Sequence, residues 1–393
     1  MRRRLFAGCA SMVGASFLIL LFTRYAGAAL SVGDNFNEKL LHDSVTRYYD
    51  VYVPPSCAGK SAVPLLVELH GLGGNKTVER ENRWWRAIAD SEGIIVAYPL
   101  GRYGTGGPPP EWFNHVPGKP PQAWDVGGPS WNARICCGSA AEIGVDDVGF
   151  IRAMVSAISA GAKVDTTRIY ATGVSNGGAM AHRLGCEAAD MFAAVAPVAF
   201  PLNFYPVGTA VPNPACDPGR PLPIIMFLGL TDGIVPYAGG TLGPIEPNVT
   251  VESAATSFKY YRDINRCAGT KPDRTMRSGN SMCEAYVNCG AGAEVTLCSI
   301  RSNAPGNPVI PGTAGHFLYL NPDVNIARLA WDFLSRFSSP DTDSDGLADW
   351  VETNMGTFVS PAGTGADPNK LDADGDVTAD GVKVLKGTDA NDP

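Results

Sequence analysis

Histidine is scarce, with five in 393 residues, so chemistry that needs an imidazole has few candidates. No Cys-x-x-Cys pair occurs, which argues against a thiolate zinc site. Beyond the amino-terminal segment no run approaches the ~20 apolar residues of a bilayer span, so no membrane partner is expected. Basic excess is missing too. Charged residues make up 18% and the net charge is −8, which argues against a general nucleic-acid binder. Apolar residues, at 45%, suffice for a full core. The 45 glycines and 31 prolines imply long, shaped loops rather than a helical bundle.

The charge is unevenly spread. From Pro340 to Pro393 twelve acids face three bases, a net of −9, so the rest of the chain comes to +1. The acidity therefore belongs to a tail, either a solvated spacer or a cation site. The other end reads as an export signal. Arg2, Arg3 and Arg4 precede an apolar stretch from about Met12 to Phe22, and Ala26-Gly27-Ala28 gives a small-x-small cleavage pattern. Cleavage after Ala28 and secretion are expected. An uncleaved anchor is the alternative, and the Arg-Arg start also permits the twin-arginine route. Cys9 lies in this segment. Nine cysteines remain, which an oxidising compartment would pair with one left over.

Short apolar strands alternate with helical stretches through the middle. Strands are expected at Leu65–Leu69, Ile94–Tyr98, Arg168–Thr172, Phe192–Ala199, Ile224–Gly229 and Glu294–Ile300. Helices are expected at Asn82–Ser91, Val145–Ile158, Gly177–Cys186, Val251–Ile264 and Val324–Phe337. Continuous apolar strands of this kind predict a doubly wound, mostly parallel α/β sheet covered on both faces. Two stretches break the rhythm. Gly101–Gly138 is rich in glycine and proline and carries Trp112, Trp124 and Trp131, a loop length that is usually functional or disordered. At Ser338-Ser339-Pro340 the composition changes. The expected organisation is a signal at 1–28, a catalytic-type domain at 29–338 and an acidic tail at 339–393.

Gly173-Val174-Ser175-Asn176-Gly177 is a Gly-x-Ser-x-Gly motif between an expected strand and helix. The glycines permit a tight turn that lifts Ser175 clear of the sheet. Such a serine needs a base. His42 precedes the sheet, His70 ends an upstream strand, His115 lies in the tryptophan loop, and His182 sits on the helix after the serine. His316 follows the last expected strand and is selected by order and position. Asp232 follows the strand between them, which gives the nucleophile–acid–base order Ser175, Asp232, His316. His70-Gly71-Leu72-Gly73-Gly74 ends the strand where an oxyanion donor belongs, so the amides of Leu72 and Asn176 are the expected pair. His70 itself reads better as a structural hydrogen-bonding residue. Trp131 and Asn132 are expected at the mouth of the site as substrate-binding residues, with plain loop packing as the alternative.

Together Leu69–Asn75, Trp131-Asn132 with Cys136-Cys137-Gly138, Val145–Phe150, Tyr170–Gly178 and Asp232–Tyr237 resemble the secreted esterases of the polyhydroxybutyrate depolymerase type, near the feruloyl and acetylxylan esterases of carbohydrate esterase family 1. The resemblance runs from about Arg47 to Phe337. It implies an α/β-hydrolase fold, a Ser-Asp-His triad and no catalytic cofactor. The implied substrate is a hydroxyalkanoate polyester or its oligomers, or else a feruloyl or acetyl ester on plant polysaccharide. Two loops depart from the family pattern: Leu228-Gly229-Leu230-Thr231 stands where His-Gly-Thr is common, and Phe317-Leu318-Tyr319 follows His316 where tryptophan and proline are common. A peptidase of the same fold, or a calcium-dependent surface protein with an inert hydrolase fold, are the rival readings.

The tail has its own motif. Asp341, Asp343, Asp345, Gly346, Leu347, Asp349 and Glu352 fit the spacing of an EF-hand loop, with ligation expected from the five carboxylates and the Leu347 carbonyl. A second run, Asp372, Asp374, Asp376 and Asp380, has Val377 where the loop glycine belongs and Lys383 where the final acid belongs. With Gly387-Thr388-Asp389 the tail resembles calcium-binding thrombospondin type 3 repeats, which implies structural Ca2+. An acidic linker without metal is the alternative.

Overall fold

A computed structural model describes residues 29–103, 128–202, 204–206, 216–243, 246–301 and 314–392. The export signal with Cys9, and His115, Trp112 and Trp124, lie outside the described residues. In chain order the elements are β1 (Gly33–His42), β2 (Val45–Val53), β3 (Val63–Leu69), α1 (Lys76–Asn82), α2 (Arg86–Glu92), β4 (Ile95–Pro99), α3 (Ser139–Glu142), α4 (Asp147–Gly161), β5 (Val164–Val174) and α5 (Asn176–Glu187). There follow β6 (Ala194–Val198), β7 (Phe204–Pro206), β8 (Ile224–Gly229), β9 (Gly240–Leu242), β10 (Glu246–Val251), α6 (Ala254–Ile264), β11 (Arg274–Ser278), β12 (Ser281–Tyr286), β13 (Val295–Ile300), α7 (Ile326–Leu334) and α8 (Asp380–Lys386).

Ten strands form one sheet in the order β1-β2-β4-β3-β5-β6-β8-β13-β12-β11. The six from β4 to β13 run parallel, and antiparallel hairpins extend both edges. The parallel strands are buried along nearly their whole length, which is why they read as continuous apolar runs rather than alternating ones. Two apolar layers cover the sheet. One packs Phe150, Ile151, Met154 and Met180 from α4 and α5 against it, and the other packs Trp331, Phe333 and Leu334 from α7 with Trp85. A separate three-stranded sheet, β7-β10-β9, follows the carboxyl end of β6.

The expected helix at Asn82–Ser91 is shortened, because α1 already ends at Asn82 and α2 runs from Arg86 to Glu92. Arg83 adopts φ 58° and breaks the rod between α1 and α2. Val251 ends a strand, and Ser253 then caps α6 through a bond from Thr256 N. The edge hairpins carry little continuous apolar sequence, and periodicity did not announce them: β11 is exposed throughout. Four disulfides join Cys136–Cys137, Cys186–Cys216, Cys267–Cys289 and Cys283–Cys298, leaving Cys57 as the unpaired one among the described residues. No helix among the described residues is long and apolar enough to cross a membrane.

Candidate active site

Ser175 sits between β5 and α5 with φ 58° and ψ −121°, an unusual conformation for a side-chain-bearing residue. Holding it there costs about 1–3 kcal/mol, which the surrounding packing offsets. The flanking glycines are required by close approach. A Cβ on Gly177 would lie 2.2 Å from Leu69 O, and one on Gly173 would lie 2.5 Å from Gly177 O. The turn thus presses against the end of β3, and α5 leaves directly from it.

The strand register gathers the other two residues at the same edge. Val174 pairs with Val198 on β6, and Val198 pairs with Phe227 on β8, so the carboxyl ends of β5, β6 and β8 lie side by side. Asp232 follows β8 by three residues. Its Oδ1 accepts from the amides of Ile234 and Val235, both at 2.9 Å, and its Oδ2 lies 2.7 Å from His316 Nδ1. Both side chains are 1% exposed. The carboxylate therefore holds the imidazole with Nδ1 protonated. Nε2 is buried and has no hydrogen-bond partner among the described residues. Gly315, at φ 78°, permits the turn before His316 against Thr231 O. A strand–serine–helix turn, an acid after β8 and a histidine beyond β13, on a sheet of this order, decide the architecture. The chain is an α/β-hydrolase by fold.

The other described histidines are occupied elsewhere. His70 Nδ1 donates to Gly71 O at 2.7 Å and Nε2 accepts from Gly101 N at 2.9 Å, so it braces the loop after β3 as a neutral ring. Burial drops its pKa to about 4. His182 bridges Tyr261 Oη at 2.8 Å and Phe200 O at 3.1 Å, and burial lowers its pKa likewise to about 4. His42 pairs with Asp146 Oδ2 at 3.0 Å at the surface.

In the loop that carries the expected oxyanion donor, Gly73 N donates to Pro129 O and Gly74 N to Gly71 O. The amide of Leu72 has no backbone acceptor among the described residues. Asn176 opens α5, where a first-turn amide has no intrahelical acceptor. Its side chain is also tied down. Asn176 Oδ1 accepts from Trp131 N at 2.7 Å and Nδ2 donates to Trp131 O at 3.1 Å.

That pairing corrects the expectation for Trp131 and Asn132. Trp131 is fully buried, donates its indole N–H to His70 O at 2.9 Å and lies tilted against the His70 ring, so it presents no face to a ligand. Asn132 spends its side chain on Val145 O and Arg134 N. Its amide donates to Asp147 Oδ2 at 2.7 Å, and the other oxygen of Asp147 takes Arg47 at 2.6 Å in a buried ion pair. A chain of contacts thus runs Arg47–Asp147–Asn132/Trp131–Asn176 and ends at the residue after the serine. Trp131, Asn132 and Asp147 serve this brace. Sequence reasoning missed the brace because its partners lie far apart along the chain.

In the tail, carboxylates of Asp341, Asp343 and Asp345 offer oxygens within 4.8 Å of one another, as do those of Asp345, Glu352 and Asp380. Asp341 Oδ1, Asp343 Oδ2 and both oxygens of Glu352 are buried without a hydrogen-bond partner. Burial, then the neighbouring carboxylates, raise Glu352 to about 8, while burial outweighs two amide contacts to bring Asp345 to about 6. Asp349, expected as a ligand, instead turns to Thr342, accepting from its amide at 2.7 Å and its hydroxyl at 2.8 Å. Leu347 anchors the small tail core with Val351, Ala366, Val384 and Ala390. Asp380, assigned by spacing to the second run, joins the first cluster.

No protein-family model matches the chain. Feruloyl esterase B of Piromyces equi is 34% identical over 291 residues, covering 74% of this chain and 45% of that protein. The putative esterase NocK of Nocardia uniformis subsp. tsuyamanensis is 27% identical over 309 residues, covering 74% of this chain and 79% of that one. The bifunctional acetylxylan esterase/xylanase XynS20E of Neocallimastix patriciarum is 27% identical over 296 residues, covering 74% of this chain and 33% of that one. The α/β-hydrolase chain thus spans less than half the length of two of these relatives.

Proposed function

We propose that this protein is a secreted serine esterase that hydrolyses carboxylic esters through an acyl-enzyme. The observation that carries this reading is the buried Asp232–His316 pair, with Nε2 left unpartnered at the sheet edge where the strained Ser175 turn stands. Ser175 Oγ attacks the ester carbonyl carbon while its proton passes to His316 Nε2. The negative charge moves to the carbonyl oxygen, facing the amides of Leu72 and Asn176. Collapse of the adduct expels the alcohol, which takes the proton from Nε2. Water repeats the sequence on the acyl-enzyme and releases the acid. Asp232 stabilises the imidazolium that forms in each half.

The substrate is an ester carried on an extracellular polymer. The family resemblance of the sequence implies hydroxyalkanoate polyester first. The names of the relatives, feruloyl esterase and acetylxylan esterase, favour an acyl group on plant polysaccharide. A panel of polyhydroxybutyrate film, methyl ferulate and acetylated xylan separates them. Hydrolysis of a p-nitrophenyl ester that disappears in Ser175→Ala tests the activity itself. Full turnover by that variant refutes it.

We also propose that the first acidic loop of the tail holds a calcium ion through Asp341, Asp343, Asp345 and Glu352. Four buried carboxylate oxygens without partners suit a hard cation, which would satisfy them and relieve their mutual repulsion. No catalytic step uses this site. Slower proteolysis of the full chain when calcium is added supports it, and an unchanged rate counts against it.

A further inference from the structure

The second acidic run has the same skeleton as the first but a different interior. Lys383 stands at the twelfth loop position, where the first loop has Glu352. Its Nζ lies 2.5 Å from Asp374 Oδ2 and 3.1 Å from Asp376 Oδ2, and it donates to Asp392 O at 3.1 Å. An ammonium has three donors, and these acceptors use all three. The side chain is 6% exposed, so the charge is enclosed by the loop rather than resting on it.

The other carboxylate oxygens of this run turn to the backbone. Asp372 takes the amides of Gly375 at 2.7 Å and Val377 at 2.6 Å, Asp374 Oδ1 takes that of Asp376, and Asp376 Oδ1 takes that of Thr378. None is left buried and unpartnered, whereas the first loop and Glu352 hold four such oxygens. Asp380 belongs to the second run by sequence, yet it groups with Asp345 and Glu352 of the first. Asp345 Oδ2 in turn accepts from Gly381 N at 2.8 Å, which fixes α8 against the first loop.

We propose that Lys383 serves as a built-in cation that closes the second loop, so that the tail takes a single divalent ion, held by the first loop with Asp380 as a ligand reaching across from the second. This inference rests on the calcium reading of the first loop. An ion entering the second loop would have to displace an enclosed ammonium that already neutralises Asp374 and Asp376. An ion entering the first loop displaces no protein cation and meets unpartnered oxygens.

Calcium bound per full-length chain, measured by equilibrium dialysis with elemental analysis at about 1 mM free calcium, a level suited to extracellular sites, tests it. The wild type is expected to hold one ion and Glu352→Gln none. Asp380→Asn is expected to weaken the single site by about tenfold or more, since it removes a charged ligand. Lys383→Glu, which restores the acid at that position, is expected to hold two. Two ions in the wild type overturn the single-ion tail while leaving the calcium reading in place, and one ion in Glu352→Gln overturns the placing of that ion on Glu352 in the first loop. Lys383→Glu remaining at one ion overturns the role of the lysine. No ion in the wild type overturns the calcium reading itself.

Discussion

Asp232→Asn isolates the orientation of His316 from everything else in the site. The carboxylate has two jobs on two different oxygens. Oδ1 accepts from the amides of Ile234 and Val235, and Oδ2 faces His316 Nδ1 at 2.7 Å. Asparagine keeps the shape but has one acceptor end. If its NH2 group faced the two amides, three donors would meet in a buried turn, at a cost of about 1–3 kcal/mol for each unsatisfied group. The amide oxygen therefore stays on Ile234 and Val235, and the NH2 group points at Nδ1. A donor there forces the imidazole into the tautomer with the proton on Nε2, where it cannot accept the proton of Ser175. The expected result is a fall in kcat of about 10³–10⁴-fold, or roughly 4–5.5 kcal/mol. KM should stay nearly unchanged, because Asp232 touches no substrate. The assay is p-nitrophenyl ester hydrolysis, with circular dichroism and thermal melting to show that the fold survives. A variant with intact fold and kcat within tenfold of the wild type refutes the assignment of Asp232 and the tautomer argument with it.

Trp131→Phe removes the indole donor from His70 O and is expected to cost about 1–3 kcal/mol in denaturant unfolding. The ratio of activities on large and small esters should move by no more than about twofold, because the buried ring offers no binding face. His182 is buried with a pKa near 4 against about 6.5 in the unfolded chain, so the unfolded state takes up its proton first as pH falls. Its contribution is fully present above pH 6.5 and is lost toward pH 4, by roughly 3 kcal/mol. Unfolding free energies across that window should fall less steeply in His182→Gln than in the wild type. Removing residues 340–393 should leave p-nitrophenyl ester turnover within about twofold, as steady-state kinetics will show. A large loss would place the tail in the catalytic machinery.

The parallel strands and the placing of Ser175, Asp232 and His316 after successive strands were legible because each depends on local sequence. A buried strand is a continuous apolar run, and the serine turn announces itself through glycines that have no room for a Cβ. What stayed hidden depends on distant pairing. Nothing near Asn132 says that its amide meets Asp147 or that Arg47, a hundred residues from that aspartate, closes the contact. Trp131 misled for the same reason. A tryptophan in a glycine-rich loop suggests an open aromatic face, whereas an indole N–H aimed at His70 O marks a buried strut. In the tail, spacing alone put Asp349 in the cluster and Asp380 outside it. The fold reverses both, because Thr342 supplies two donors to Asp349 while α8 carries Asp380 across to Glu352.

The sheet itself keeps the two chemistries apart. Ser175 follows the carboxyl end of β5, and the tail docks at its amino end. Ser339 N donates to Thr167 O at 2.8 Å, Ala348 N to Thr166 Oγ1 at 3.2 Å, and the Trp350 indole to Thr166 O at 3.2 Å. Thr166 and Ser175 are nine residues apart along β5 and the turn that follows it, so at ~3.3 Å per residue about 30 Å lies between the tail and the serine. At that distance a bound calcium ion, facing solvent that screens beyond about 10 Å, exerts little field on His316. The tail can therefore order, bind or be lost without altering the proton path, provided the amino end of β5 stays paired with β3, which it does through Val63 and Val164. On the proposed esterase reading, a polymer-bound substrate would approach the opposite edge. On that reading the tail would tether or space the protein while leaving the Ser175 edge open.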